Sequence, residues 1–187
     1  TELIPMLTHD HNFAWTVISQ ATVFAPEKQE GICTICGAKK TRDNGSKLTA
    51  TMKLNVTSIK LQKKQSTTKV KVTGLANGDS VKSWTSSNKK IVTVDKNGKI
   101  KAGKKTGNAK ITVTLKSGKK AILKVKVQST KVKTTKITGL KTNVTLKKGK
   151  SLTLKPVVAP ITSQEKVTYT TSNKKIATIT KNGVVKA

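Results

Sequence analysis

The chain has 187 residues, of which 38 are lysine or arginine and 8 are aspartate or glutamate, giving a net charge of +30. This length allows one or two small domains, and no apolar run reaches the ~20 residues that span a bilayer, so we predict no membrane insertion. Arg42 is the single arginine. Lysine lacks the planar fork of arginine, so the chain can attract polyanions but is poorly equipped to read a specific nucleic acid.

The charge is unevenly distributed along the chain. Residues 1–46 have a net charge of −1, residues 47–128 of +19 and residues 129–187 of +12. The change in composition near Ser46 predicts a boundary between a small, nearly neutral N-terminal module (1–46) and a strongly cationic body.

The N-terminal module contains a Cys-x-x-Cys-Gly motif. Cys33 and Cys36 have the spacing of a zinc knuckle, in which two thiolates share one tight turn. His9 and His11 are the only histidines, so the four side chains could form a Cys2His2 zinc site. Two other interpretations stay open: a local disulfide in an oxidising exterior, or reduced cysteines that remain from a lost site. A thioredoxin-like role is disfavoured because no βαβ pattern surrounds the pair.

The body reads as β-structure throughout. Apolar side chains alternate with Lys and Thr in four segments, which is typical of strands with one buried face; these segments are 68–72, 109–115, 121–127 and 151–155. Asn97-Gly98 and Asn182-Gly183 predict two-residue hairpin turns, because both residue types tolerate positive φ. Residues 116–120 predict a further turn between two strands, and no segment has a helical stripe.

An 18-residue segment occurs twice. "TSSNKKIVTVDKNGKIKA" begins at Thr85 and "TTSNKKIATITKNGVVKA" begins 85 residues later, with 12 identical positions; Trp84 precedes the first copy and Tyr169 the second. Upstream, "VTSIKL" (56–61) resembles "TTKITGL" (134–140) as the first strand of each copy. Regularly spaced short strands predict tandem β-sandwich repeats. Residues 103–128, with two strands, follow the first copy only, so we expect the second repeat to be truncated, with strand donation by another chain as the alternative.

These repeats resemble the bacterial immunoglobulin-like group 2 domains of surface proteins and adhesins. The resemblance rests on "WTSSNKKIVTVDKNGKIKA" followed by "GNAKITVTL", and on "YTTSNKKIATITKNGVVKA" in the second copy. It implies an all-β, immunoglobulin-like sandwich, with a complete domain at 47–128 and a second domain at 129–187 that lacks its last two strands. It also implies a non-catalytic spacer or adhesion segment, located outside the cell on the surface or wall of a Gram-positive bacterium.

The N-terminal module is similar to small Cys-x-x-Cys-Gly repeats in surface proteins of Firmicutes. The similarity rests on "HDHNFAW" (9–15) and "CTICGAKKT" (33–41). In many such repeats a further cysteine follows an Ala-Thr pair, whereas here Val23 follows Ala21-Thr22. That candidate ligand is therefore absent.

Other functions lack their usual residues. The body has no His and no Cys, so neither a Ser-His-Asp set nor a cysteine nucleophile can form there. We expect Trp84 and Tyr169 to be core aromatics, which leaves the body no exposed ring for a sugar or a single-stranded nucleic acid to stack on. The alternative function is a polyanion-binding module: weak, salt-sensitive contact with a polymer such as teichoic acid follows from the charge. The sequence indicates no specific receptor.

Overall fold

The computed structural model describes residues 10–187, and every regular element within this range is a β-strand. The predicted all-β class is therefore confirmed. The strands, in chain order, are β1 (Phe13–Ser19), β2 (Glu27–Cys33), β3 (Lys39–Asn44), β4 (Lys53–Leu54), β5 (Ser58–Gln62), β6 (Ser66–Thr67), β7 (Val72–Thr73), β8 (Val81–Ser86), β9 (Val92–Val94), β10 (Ile100–Ala102), β11 (Gly107–Leu115), β12 (Lys120–Gln128), β13 (Lys136–Thr138), β14 (Ser151–Thr153), β15 (Val157–Ala159), β16 (Thr178–Ile179) and β17 (Val184–Lys186).

The N-terminal sheet consists of β1, β2 and β3 in that order, with both pairs antiparallel. The β1–β2 register places Phe13 opposite Cys33 and Trp15 opposite Gly31. Only glycine fits at position 31, because a Cβ at this position would lie 2.9 Å from Cε3 of Trp15. The indole therefore covers the backbone of β2.

The first repeat (β4–β12) is an immunoglobulin-like β-sandwich. One sheet has the order β5-β12-β11-β8 and the facing sheet has the order β6-β10-β9, while β4 pairs with β7. β5 and β12 run parallel, with Ile59 opposite Val125. In the facing sheet, β10 is antiparallel to both of its neighbours, and Ile100 lies opposite Val94 of β9.

The core of this sandwich comes from the alternating segments. Ile111, Leu123, Val125 and Val127 face inward and are at most 2% exposed, as the alternation predicted, and they meet Ile100 of the facing sheet. The lysines between them face solvent. Every lysine from Lys47 onward is exposed, so the period of two separates the charge from the core.

The second repeat (β13–β17) reproduces the first at an offset of 85 residues. Val185 lies opposite Ile179 as Ile100 lies opposite Val94, and β14 pairs with β17 as β6 pairs with β10. Side-chain hydrogen bonds also recur. Ser86 Oγ donates to the Val92 carbonyl at 2.7 Å, and Thr171 Oγ1 donates to the Ala177 carbonyl at 3.0 Å.

The same offset corrects the predicted first strand of the second repeat. β13 matches β4 and not β5, because β13 pairs with β15 as β4 pairs with β7, and β15 begins 85 residues after β7. The segment that matches β5 is 143–147, which forms no strand in the described chain. Ile59 is 4% exposed where β5 lies beside β12, whereas its equivalent Val144 is 48% exposed.

The two Asn-Gly turns differ from the two-residue hairpins that the sequence predicted. Gly98 has a φ of +78°, but Lys64 is the one non-glycine residue with positive φ in the described chain, so Asn97 does not adopt it. The Asp95 carbonyl accepts from Gly98 N, and Asp95 N donates to the Lys99 carbonyl. These bonds define a three-residue loop with a left-handed glycine at its end. The same loop occurs in the second repeat, where Gly183 N donates to the Thr180 carbonyl and Thr180 N donates to the Val184 carbonyl.

The described chain forms two compact units. The first comprises the described residues up to Lys53 together with 72–83 and 113–121, and the second comprises 54–71, 84–112 and 122–187. The sandwich core and the whole second repeat thus belong to the second unit.

Within the first unit, the segment before β2 binds the turn around Asn77. Val23 N donates to the Asn77 carbonyl at 3.0 Å, and Asn77 Nδ2 donates to the Ala21 carbonyl at 2.9 Å. Asp79 closes the same turn by accepting from Ser117 Oγ at 2.6 Å. Partial burial would raise the pKa of Asp79, but the hydrogen bonds, chiefly from Ser117, hold it below its usual range.

Candidate functional site

The Cys-x-x-Cys motif forms the turn between β2 and β3. Gly37 N donates to the Cys33 carbonyl at 2.9 Å and Cys33 N donates to the Ala38 carbonyl at 2.8 Å. Gly37 has a φ of +73°, a conformation that glycine adopts without steric cost. The turn therefore brings the Cys36 side chain back beside Cys33, which is 2% exposed at the end of β2.

His11 joins this turn from the segment before β1. Thr34 N donates to the Asn12 carbonyl at 3.0 Å and fixes that segment against the turn. The ligand atoms of His11, Cys33 and Cys36 all lie within 4.8 Å of one another, and Cys36 Sγ lies 3.4 Å from His11 Nδ1. Tetrahedral zinc with ordinary bond lengths separates a sulfur from a nitrogen by about 3.6 Å. Three of the four predicted ligands thus converge, while His9 lies outside the described residues.

A row of aromatic rings continues from this cluster along β1. The ring centroids of His11 and Phe13 are 5.5 Å apart and those of Phe13 and Trp15 are 5.6 Å apart. The guanidinium of Arg42 on β3 lies 3.9 Å from the centroid of Trp15, within the range of a cation–π interaction. The Cys-x-x-Cys motif identified the cysteines, but sequence reasoning missed this row of rings. The signal in the sequence was the placement of His11, Phe13 and Trp15 at every second position, which puts the three side chains on one face of a strand.

The two carboxylates of β2 lie in the same sheet. Hydrogen bonds from Asn44 and Gln29 hold the pKa of Glu27 below its usual range. Glu30 forms a 3.2 Å ion pair with Lys39.

The two predicted core aromatics occupy equivalent positions. Trp84 is partly buried against the core of the first sandwich, which confirms the prediction for this residue. A Cβ on Gly98 would lie 2.9 Å from Cζ2 of Trp84, and a Cβ on Gly183 would lie 2.8 Å from Cζ of Tyr169. Each aromatic ring therefore covers the glycine of its own Asn-Gly turn.

Hydrogen bonds link the two repeats within the second unit, in a region that we call the joint. The joint is formed by Gln62 and Gln65 of the first repeat, Val132 of the connecting segment, and Thr162 and Gln164 of the second repeat. Gln65 Nε2 donates to the Thr162 carbonyl at 2.7 Å. Gln164 Nε2 donates to Gln62 Oε1 at 3.0 Å, while Gln164 Oε1 accepts from Val132 N at 3.0 Å. Sequence reasoning missed the joint, because isolated glutamines give no signal of a partner.

Apolar packing and a local hydrogen bond support the joint. Ile161 packs against the core of the first sandwich, and Val132 in the connecting segment is 2% exposed. Thr134 N donates to Glu165 Oε2 at 2.6 Å. Hydrogen bonds from Thr134, together with the charge of Lys133, hold the pKa of Glu165 below its usual range. The connecting segment is therefore held against Gln164 and Glu165 of the second repeat.

Tandem sandwiches joined in this way define a class of repeat proteins built from immunoglobulin-like domains. The family model described as "Bacterial Ig-like domain (group 2)" matches residues 49–125 and again residues 131–187. The chain therefore belongs to the bacterial Ig-like group 2 family. A comparison with curated proteins found no match.

Family membership points to a surface or adhesin-type module, since domains of this kind occur in extracellular and surface proteins and are generally non-catalytic. Among the described residues, no helix has both the length and the apolar character needed to cross a membrane.

Proposed function

We propose that this chain is a non-catalytic spacer in an extracellular protein on the surface of a Gram-positive bacterium, holding a neighbouring binding part away from the cell wall. The observation that carries this proposal is the joint. A spacer must keep its repeats in a fixed orientation, and the joint combines three glutamines with a buried valine in the connecting segment. Adhesion would then be a property of the parts that the spacer presents.

The joint predicts that the two repeats reorient as one body in solution. Residual dipolar couplings of the 187-residue chain should fit a single alignment tensor for residues 54–71, 84–112 and 131–187. The double variant Q65A/Q164A removes two of the side-chain hydrogen bonds between the repeats, each worth about 0.5–1.5 kcal/mol. We expect its two repeats to require different tensors.

The matched control for this experiment is Q20A/Q29A, which removes two glutamines outside the joint. We expect the control to keep the single tensor of the parent chain. Two independent tensors in the parent chain would contradict the rigid spacer, and so would a joint variant that behaves like the control.

A second proposal concerns the N-terminal sheet, which we infer to be a small zinc-binding module. Cys33, Cys36 and His11 supply two sulfurs and one nitrogen from two segments that β1 and β2 hold together. His9 is our proposed fourth ligand. Such a site would be structural, because four protein ligands leave no open position for catalysis.

The zinc proposal predicts about one equivalent of zinc per chain after purification without chelators. Loss of a group that only orients a metal ligand lowers metal affinity about 10- to 100-fold. C36S and H11A remove a ligand itself, so each variant should bind zinc at least a hundredfold more weakly than the parent chain. I35A is the control, since Ile35 lies in the same turn and is 69% exposed. Cobalt substitution followed by visible absorption reports the thiolate ligands directly.

The fourth ligand is tested separately by H9A against D10A. Only H9A should change the cobalt spectrum if His9 completes the site. Zinc far below one equivalent in the parent chain, or equal losses in C36S and I35A, would overturn the proposal.

A further inference from the structure

A groove of about 700 Å³ lies on the solvent-facing side of the β5-β12-β11 sheet within the second unit. Four lysines line it: Lys60 on β5, Lys110 on β11, and Lys124 and Lys126 on β12. Thr135 and Pro160 of the second repeat border the same groove. The second repeat therefore forms one wall of the groove beside the cationic face of the sheet.

The strand register brings these lysines together. Lys126 lies directly opposite Lys60, and Lys124 lies opposite Ser58. Neighbouring strands are about 4.8 Å apart, and alternate residues of one strand are about 6.6 Å apart. Like charges at such distances repel one another, so an anion that bridges them would relieve this repulsion.

No carboxylate offsets the charge of the groove. Neither Asp nor Glu is among the residues that line it. Within residues 10–187, the one ion pair joins Lys39 to Glu30, so the four groove lysines form none. The groove is consequently a site of concentrated positive potential, which attracts anions and speeds their association.

The neutral residues of the groove indicate the kind of anion. Ser58, Ser87, Asn108 and Thr135 offer hydroxyl and amide groups that can exchange hydrogen bonds with a hydroxylated chain. None of the residues that line the groove is aromatic, so it lacks the stacking surface that single-stranded nucleic acids use. The groove also lacks arginine, the residue best suited to reading base edges.

We propose that this groove binds a polyol-phosphate polymer, in which phosphodiester groups alternate with hydroxylated carbon chains. The lysines contact the phosphates, and the serine, threonine and asparagine side chains contact the hydroxyls. This activity goes beyond the spacer role and does not depend on it or on the zinc module. Because the wall of the groove belongs to the second repeat, the binding site requires both repeats.

The test is a titration of the 187-residue chain with poly(glycerol phosphate) at several NaCl concentrations. The groove variant is K60Q/K124Q/K126Q, and the control K69Q/K99Q/K101Q removes the same charge from exposed lysines outside the groove. Because three exposed lysine–phosphate contacts are lost, the groove variant should bind roughly tenfold to a hundredfold more weakly. The control should stay within about threefold of the parent chain.

Salt dependence and competing polymers provide further readouts. Loss of three phosphate contacts should reduce the slope of log K against log[salt] by about 2. Single-stranded DNA and inorganic polyphosphate of equal charge should bind more weakly than poly(glycerol phosphate). Equal weakening in both triple variants, equal affinity for all three polymers, or no binding by the parent chain at physiological salt would overturn the proposal.

Discussion

Leu123→Ala is expected to lower the free energy of unfolding by about 2–5 kcal/mol, the usual cost of removing a buried leucine side chain. Leu123 is 0% exposed and belongs to the core cluster between the two sheets of the first sandwich. Its neighbours Ile111 and Ile100 are also fully buried, so they cannot move into the space without breaking their own contacts. Urea denaturation followed by circular dichroism measures the change.

Ile122→Ala is the matched control for this prediction. Ile122 precedes Leu123 on β12, has the same number of side-chain carbons and is 52% exposed. Its loss should cost about 0.5 kcal/mol or less, as is usual for surface positions. Similar costs for the two variants would mean that β12 does not have one buried face, and the register of the whole sheet would then be wrong.

Gly98→Ala is expected to have the next largest effect, about 3 kcal/mol. A left-handed backbone costs a residue with a Cβ about 1–2 kcal/mol, and forcing an extra methyl group into a packed site costs about 1–3 kcal/mol more. Both penalties apply, since Gly98 has a φ of +78° and its Cβ would lie 2.9 Å from the Trp84 ring. Thermal and urea denaturation should both report the loss.

Gly118→Ala separates the two penalties. Gly118 has a φ of +89°, but no atom lies within 4 Å of the Cβ position. We therefore expect only the backbone cost, about 1–2 kcal/mol. If G98A and G118A were equally unstable, the contact between Trp84 and the Asn-Gly turn would contribute nothing, and the proposed reason for an aromatic residue at position 84 would fail.

The fold was largely predictable because the buried face is encoded locally. In β11, and in β12 from Leu123 onward, each apolar residue is followed by a polar one, so the period of two was sufficient to identify Ile111, Leu123, Val125 and Val127 as core residues. The repeat at an offset of 85 residues then predicted the second sandwich. The type of the Asn-Gly turns was not predictable in this way, since Asp95 also accepts hydrogen bonds from Asn97 N and Lys99 N and thereby favours the longer loop.

The candidate metal centre was predictable only in part. The Cys-x-x-Cys spacing fixes Cys33 and Cys36 on one turn whatever the rest of the chain does. His11 is 25 residues from Cys36, so its approach depends on the β1–β2 pairing and on the bond between Thr34 and Asn12. The role of His9 stays a prediction.

By itself, the sequence determined the all-β class, the tandem repeat and the exposure of the lysines, because each of these follows from the order of neighbouring residues along one strand. Only the tertiary structure decided which distant residues meet. Gln65 reaches Thr162 across 97 positions, and Lys60 faces Lys126 because β5 pairs in parallel with β12. Such contacts depend on which distant strands pair and in which register. A local pattern of side chains does not contain that information.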